Sequence, residues 1–275
     1  MSERNPGRDT NRVTKTARDV AESRPMKWAA RVGLTARGCI YLVMGVLALM
    51  LAFGSQKQVD QRGALTQVAS QPFGKILVLL LAIGFAAYAL WRFSEAAFGV
   101  TGEGRKAGPR LQSLVRGIAY AILTFTAVSV LRGAGKSQSA QQQGLTARIM
   151  AHSGGRIAVG VIGAIIVLVS ILLIVQGFRR SFMRYLKATP PRTRETIRTL
   201  GTIGTVARGF VFALVGAFVI WAAWSYSPQK AGGIDVVLKT VLVGHAYGRP
   251  LVVLVGLGLL AFGVYGLAEA RYRRV

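Results

Sequence analysis

Six apolar runs divide the chain: Val32 to Phe53, Ile76 to Phe98, Leu114 to Leu131, Ile157 to Phe178, Ile203 to Trp224 and Leu251 to Arg271. At ~1.5 Å rise per residue, the first run, written as a helix, is ~33 Å long, against a bilayer hydrocarbon core of ~30 Å. Six membrane-spanning helices are predicted, the third being the shortest. The connections after the first, third and fifth runs share one order: a polar, Gly-containing opening, a half-apolar stretch, then glycine and a base. The pattern runs from Gly63-Ala64-Leu65 to Gly74-Lys75, from Gly144-Leu145 to Gly155-Arg156, and from Gly233-Ile234 to Gly248-Arg249. Short interfacial helices on the outer surface are expected in these three places.

Within the spans the residues repeat. Placing Arg37-Gly38 over Arg116-Gly117 and Arg208-Gly209 brings Tyr41, Tyr120 and Phe212 into register, and Gly33, Gly38 and Gly45 match Gly204, Gly209 and Gly216. Counting from Gly74, Gly155 and Gly248, the same step reaches Glu95, Gln176 and Glu269 without a gap. Three tandem helical hairpins follow. An even number of spans per copy points all three the same way, so they can surround one axis along the membrane normal. The expectation is an all-α membrane protein: six transmembrane helices as three tandem hairpins in a pseudo-threefold bundle. A tail at 1–28 precedes repeats at 29–101, 102–184 and 185–275. The repeated glycines allow the close backbone approach on which helix packing in lipid depends.

Charge sets an orientation. Basic residues number 21 on the side of the two termini and 10 on the other, so the positive-inside rule puts both termini in the cytoplasm of a plasma (inner) membrane protein. The net charge of +25 comes with only 16% charged residues, crowded around apolar segments. Anionic lipid headgroups account for that distribution, at ~1 kcal/mol per base near the surface, and no recognition helix or stacking motif points to nucleic acid. Residues 1–28 mix acids with bases and hold no apolar run, which reads as a disordered tail and not as a signal peptide. Cys39 is the single cysteine, which excludes an intrachain disulfide.

The threefold Arg-Gly-x-x-aromatic hairpin, the entry Gln71-Pro72-Phe73-Gly74 and the ending Glu269-Ala270-Arg271-Tyr272-Arg273-Arg274 resemble the bacterial membrane family catalogued as domain of unknown function 1206. The resemblance covers residues 28 to 275 and implies a six-helix bacterial membrane protein, with nothing about chemistry. Copy two departs from it, with Ser153-Gly154 for Pro72-Phe73 and Gln176 for the glutamate.

The candidate site is an intramembrane polar layer near the cytoplasmic face: Arg37, Glu95, Arg116, Gln176, Arg208 and Glu269. An ionisable residue within a membrane helix costs ~2.5–3.5 kcal/mol on insertion scales, which favours pairing or an inward-facing position. Equal depth pairs Arg37 with Glu95, Arg208 with Glu269, and Arg116 with Gln176, each pair pinning one hairpin or all forming a functional ring. Arg92 and Arg273 compete for the glutamates from one turn away. Arg116, whose own copy offers only Gln176, must seek Glu95 or Glu269 across the bundle or a lipid phosphate. His152 and His245 have no acidic or thiol companions in register, so no metal is expected, and no cofactor either. No nucleophile elbow, phosphate loop or metalloprotease spacing occurs, so no enzyme and no catalytic residue is expected. Two functions remain: a non-catalytic module binding anionic lipid or a partner protein, and a small-solute or ion permease with the Arg/Glu layer as its inner selectivity element. The residues do not distinguish a protein partner from a homo-oligomer.

Overall fold

The computed structural model describes residues 24–99, 107–133, 137–187, 190–244 and 247–273, so most of the expected tail, and His245, lie outside the described residues. Nine α-helices make up these residues: α1 (Arg24–Ala52), α2 (Gln61–Ala69), α3 (Gly74–Phe98), α4 (Ala107–Leu131), α5 (Gln138–Met150), α6 (Gly155–Phe178), α7 (Pro191–Trp224), α8 (Gly233–Gly244) and α9 (Gly248–Tyr272). The six longer ones are long and apolar enough to cross a membrane. This is an all-α, multi-pass membrane protein. The starts of α1, α4 and α7 and the ends of α3, α6 and α9 share one end of the bundle, the arginine end. The short helices α2, α5 and α8 occupy the other.

Two of the short helices, α2 and α5, open on a side-chain cap. The Asp60 carboxylate accepts the Gly63 N–H at 2.7 Å to open α2, and the Ser137 hydroxyl accepts the Ala140 N–H at 3.1 Å to open α5. Each then runs straight into the next long helix. A Cβ on Gly74 would lie 1.9 Å from the Val68 carbonyl oxygen, and one on Gly155 1.7 Å from that of Ile149, so only glycine fits where the two backbones meet. The preceding residues, Phe73 at φ 61° and Gly154 at φ 77°, are both left-handed. The Ser153-Gly154 departure in copy two therefore keeps the geometry and places glycine where it is least strained.

Packing of the long helices joins each repeat to the next more than it holds each repeat together. The most extensive interfaces join the second span of one repeat to the first span of the next: α3 with α4, α6 with α7, and α9 back to α1. Neighbours within a repeat pack less, as α1 with α3 and α7 with α9, and α4 with α6 hardly at all. The spans thus follow the cyclic order α1, α3, α4, α6, α7, α9, a pseudo-threefold bundle with one loose seam in repeat two.

Glycine positions explain both features. A Cβ on Gly38 would fall 2.9 Å from the Gly263 carbonyl, and one on Gly45 2.9 Å from that of Gly256, which seals α1 against α9. Their repeat equivalents do the same for α7 against α6, where a Cβ on Gly209 meets the Ser170 carbonyl at 3.1 Å and one on Gly216 the Gly163 carbonyl at 3.0 Å. The third equivalent pair serves the neighbour inside the repeat, Gly33 against Tyr88 and Gly204 against Phe262. Repeat two carries the exposed Gln112 at that register, so α4 lacks the small residue that brings the second span close. Only 11% of the apolar window of α4 and 17% of that of α6 is buried, against 61% for α1.

Candidate functional site: an arginine-rich layer inside the bundle

The cyclic packing decides which charges meet. Because α9 lies on α1, Glu269 receives hydrogen bonds from Arg37 of α1 and from Arg273 one turn along its own helix. The carboxylate is 5% exposed. The predicted partnership of Arg208 with Glu269 does not form, nor does that of Arg37 with Glu95 (α1 and α3), because each glutamate faces the following repeat in the cycle. Glu95 accordingly accepts the Ser113 hydroxyl of α4 at 2.9 Å, and Arg92, one turn before it, at 2.5 Å. Arg92, 1% exposed, also donates to the Tyr88 hydroxyl at 2.7 and 3.0 Å and stacks 4.3 Å from the centre of the Trp91 ring.

In repeat two the same rule leaves charges over. Gln176 stands where the other copies carry glutamate, and its helix packs on α7, so Arg208 of α7 meets no carboxylate. It lies instead among rings, 5.1 Å from the centres of Phe212 and Phe262 and 5.5 Å from Tyr41, with a buried Nε that finds no hydrogen-bond partner. Desolvated cation–π contacts are worth ~2 kcal/mol or more, of the same order as the ~2.5–3.5 kcal/mol cost of an arginine at membrane depth, but they offer the Nε no acceptor. Arg116 forms no hydrogen bond or ion pair among the described residues, and Gln176 is no partner to it because α4 and α6 barely touch. The electrostatic neighbours of Arg116 are Arg92, Arg273 and Arg37, with Tyr88 beside them.

The layer therefore holds five arginines, Arg37, Arg92, Arg116, Arg208 and Arg273, against two glutamates. An excess of three positive charges lies within the bundle. The sequence pattern names Arg37, Glu95, Arg116, Arg208 and Glu269 but presents Arg92 and Arg273 only as competitors for the glutamates. Their roles depend on long-range packing: Arg273 lies 5.2 Å from the centre of Trp91 and 5.4 Å from that of Tyr185, in a linker held to the end of α9 by the Lys187 N–H on the Tyr272 carbonyl, 2.8 Å.

Two further features flank the layer. An apolar groove of about 470 Å³ runs between α1 and α3 over Ala36, Cys39 and Val43 to Val68 and Leu81, with Trp28 and Arg31 at its mouth. At the short-helix end, sequence reasoning missed a polar network that ties the three caps together. Asp235 of α8 accepts the Val59 N–H at 2.9 Å and Lys239 at 3.0 Å, and Gln138 of α5 donates to Gln61 of α2 at 3.1 Å. His152 is exposed there, its ring bonded to the Arg148 carbonyl at 2.8 Å. Among the described residues no three His, Cys, Asp or Glu gather as a metal site.

Comparison with known proteins agrees with the threefold reading. An uncharacterized protein of Bacillus subtilis (strain 168), YxxB, is 26% identical over 261 residues, covering 92% of this chain and 94% of its own. No solved structure matches the chain. The family model described as Domain of Unknown Function (DUF1206) matches three times, at residues 32–99, 111–180 and 203–273, each match taking in one pair of long helices with the short helix between them, and the chain belongs to that family.

Proposed function

We propose that this protein is a non-catalytic membrane module that binds anionic phospholipid, with both termini and the arginine end in the cytoplasm. The observation that carries the reading is the excess of arginine over glutamate inside the bundle. A buried cation without a partner is costly, and the two carboxylates of the layer, Glu95 and Glu269, are already engaged, so an anion from outside completes the layer. Phospholipid headgroups are the anions at highest concentration at that depth, and the basic flanks counted in the sequence draw them to the same side. The groove between α1 and α3 offers an apolar bed beside a basic mouth, consistent with the same ligand class.

The test is chemical. Protein washed exhaustively in zwitterionic detergent should retain phosphatidylglycerol or cardiolipin at a higher ratio to neutral lipid than the membrane it came from, and reconstituted liposomes should show no solute or proton flux. Retention in the membrane's own proportions would remove the reading. Flux that disappears on Glu95→Gln with Glu269→Gln would replace it by a permease. Reporter fusions after Gly102 and Pro190 should read cytoplasmic and one after Gln142 external, and the reverse pattern would invert the orientation.

A further inference from the structure

The loose seam, the unpaired Arg116 and the Gln176 that leaves Arg208 without a carboxylate all belong to repeat two. α4 carries Arg116 and, one turn on, Tyr120, whose hydroxyl makes no hydrogen bond among the described residues. That hydroxyl is within electrostatic reach of both Arg37 and Arg208. Its ring is held 4.3 Å from Tyr88 and 6.0 Å from Phe85, so the donor is fixed in place. Gln176 of α6 stands on the opposite side of the seam with no side-chain partner among the described residues. Arg116 and Tyr120 thus lie on one helix bordering the place where adjacent spans of the ring do not close, Gln176 lies on the other, and Arg208 is within electrostatic reach of Tyr120 from α7. All four are hydrogen-bond donors, and the two carboxylates of the layer are held elsewhere, Glu95 by Arg92 and Ser113 and Glu269 by Arg37 and Arg273.

We propose that the seam between α4 and α6 is a lateral entrance through which a phosphate group reaches a site formed by Arg116, Arg208, Tyr120 and Gln176. This rests on the reading of the protein as an anionic-lipid binder and assigns its headgroup site. Planar guanidinium groups match tetrahedral oxyanions in pairs, and the donors of the site come from three different helices, so a bound phosphate would bridge α4 to α6 and α7 and close the ring. Two departures of copy two, Gln112 for glycine and Gln176 for glutamate, serve this arrangement together. The first keeps the seam open, and the second keeps a carboxylate out of the site. The same donors accept a phosphodiester headgroup or free phosphate.

Native mass spectrometry of the full chain in zwitterionic detergent, titrated with phosphatidylglycerol and separately with phosphatidylcholine, tests the assignment. Arg116→Gln with Arg208→Gln should weaken phosphatidylglycerol binding by about tenfold or more, since bonds to charged groups are the strong ones. Tyr120→Phe should weaken it less, and Arg192→Gln with Arg194→Gln and Arg198→Gln, exposed at the start of α7, should leave it near wild type. The double variant removes only unneutralised charge, so its melting midpoint in lipid-free detergent should equal or exceed the wild-type value, which separates lost binding from lost fold. Wild-type-like lipid affinity in the double variant, with loss in the α7 surface variant, would overturn the site while leaving the lipid reading intact. Equal affinity of the wild type for both lipids would overturn the lipid reading itself. Stabilisation of the wild type but not the double variant by millimolar inorganic phosphate, with no lipid preference, would support the site with free phosphate as its ligand, and no response to either would remove the site.

Discussion

Replacing Glu269 by glutamine should be among the most damaging single changes in the bundle, and its size follows from the geometry. Glu269 holds two arginines in contact, and each attraction is worth ~4 kcal/mol at ~4 Å between charges and an effective dielectric of ~20. The neutral amide forfeits both but recovers the several kcal/mol spent desolvating the carboxylate, leaving a net loss of ~3–5 kcal/mol. Arg37→Leu behaves differently. It forfeits one attraction, but relieves a repulsion with Arg273 of ~2 kcal/mol at ~8 Å and the ~2.5–3.5 kcal/mol cost of holding the arginine at depth. Its net effect should be within ~1 kcal/mol. In the double variant the attraction between Arg37 and Glu269 is lost once and not twice, so the pair should couple by ~4 kcal/mol. Reversible unfolding of the purified protein in mixed micelles measures all three variants. Additivity within ~0.5 kcal/mol would refute the partnership, and the pairs drawn from the sequence, Arg37 with Glu95 and Arg208 with Glu269, serve as the contrast that should add.

Gly38→Val should cost ~1–3 kcal/mol in the same assay, because its Cβ has the Gly263 carbonyl at 2.9 Å, whereas Gly108→Ala, with open space around it, should be near neutral; equal losses would contradict the α1 to α9 contact. Gln176→Glu restores the missing carboxylate toward Arg208 and should raise stability in lipid-free detergent by ~1.5–3 kcal/mol while lowering retained anionic lipid; unchanged stability together with unchanged lipid would mean that Gln176 and Arg208 do not communicate. Asp60, buried at the short-helix end, has its carboxyl raised above 3.8 by burial, held back by the Gly63 N–H and raised further by Asp235. The folded state therefore binds this proton more tightly than the unfolded chain, and stability relative to Asp60→Asn should fall as pH rises from 3.8 through the folded value. A difference that grows with pH over that window would reverse the assignment.

Much of this architecture is legible in the sequence because lipid imposes simple rules. Length and apolarity mark the six spans, although α1 and α4 begin well before their apolar runs, at Arg24 and Ala107, since helical hydrogen bonding continues through polar residues. The short helices follow from a shared order of residues and are present in all three places. The pairing of charges was misread for a physical reason. Sequence adjacency suggests that the two spans of a hairpin are closest partners, whereas the glycines bring α1 to α9 and α7 to α6. A sign of this was available: Gly33 and Gly204 have no counterpart at Gln112, which marks repeat two as the copy whose spans stand apart. The Asp60 and Asp235 network carried no comparable signal, because their meeting depends on where the short helices dock.

On the proposed function, an anion from outside the chain completes the buried arginine excess. Melting wild type and the Arg116→Gln with Arg208→Gln variant side by side, first in lipid-free zwitterionic detergent and then with added phosphatidylglycerol, tests it most directly. An inversion is expected: the variant is at least as stable as the wild type without lipid, and the wild type becomes the more stable of the two when phosphatidylglycerol is present. A variant that is less stable without lipid, and that gains as much from phosphatidylglycerol as the wild type does, would show that these arginines are already satisfied within the bundle and would contradict the claim.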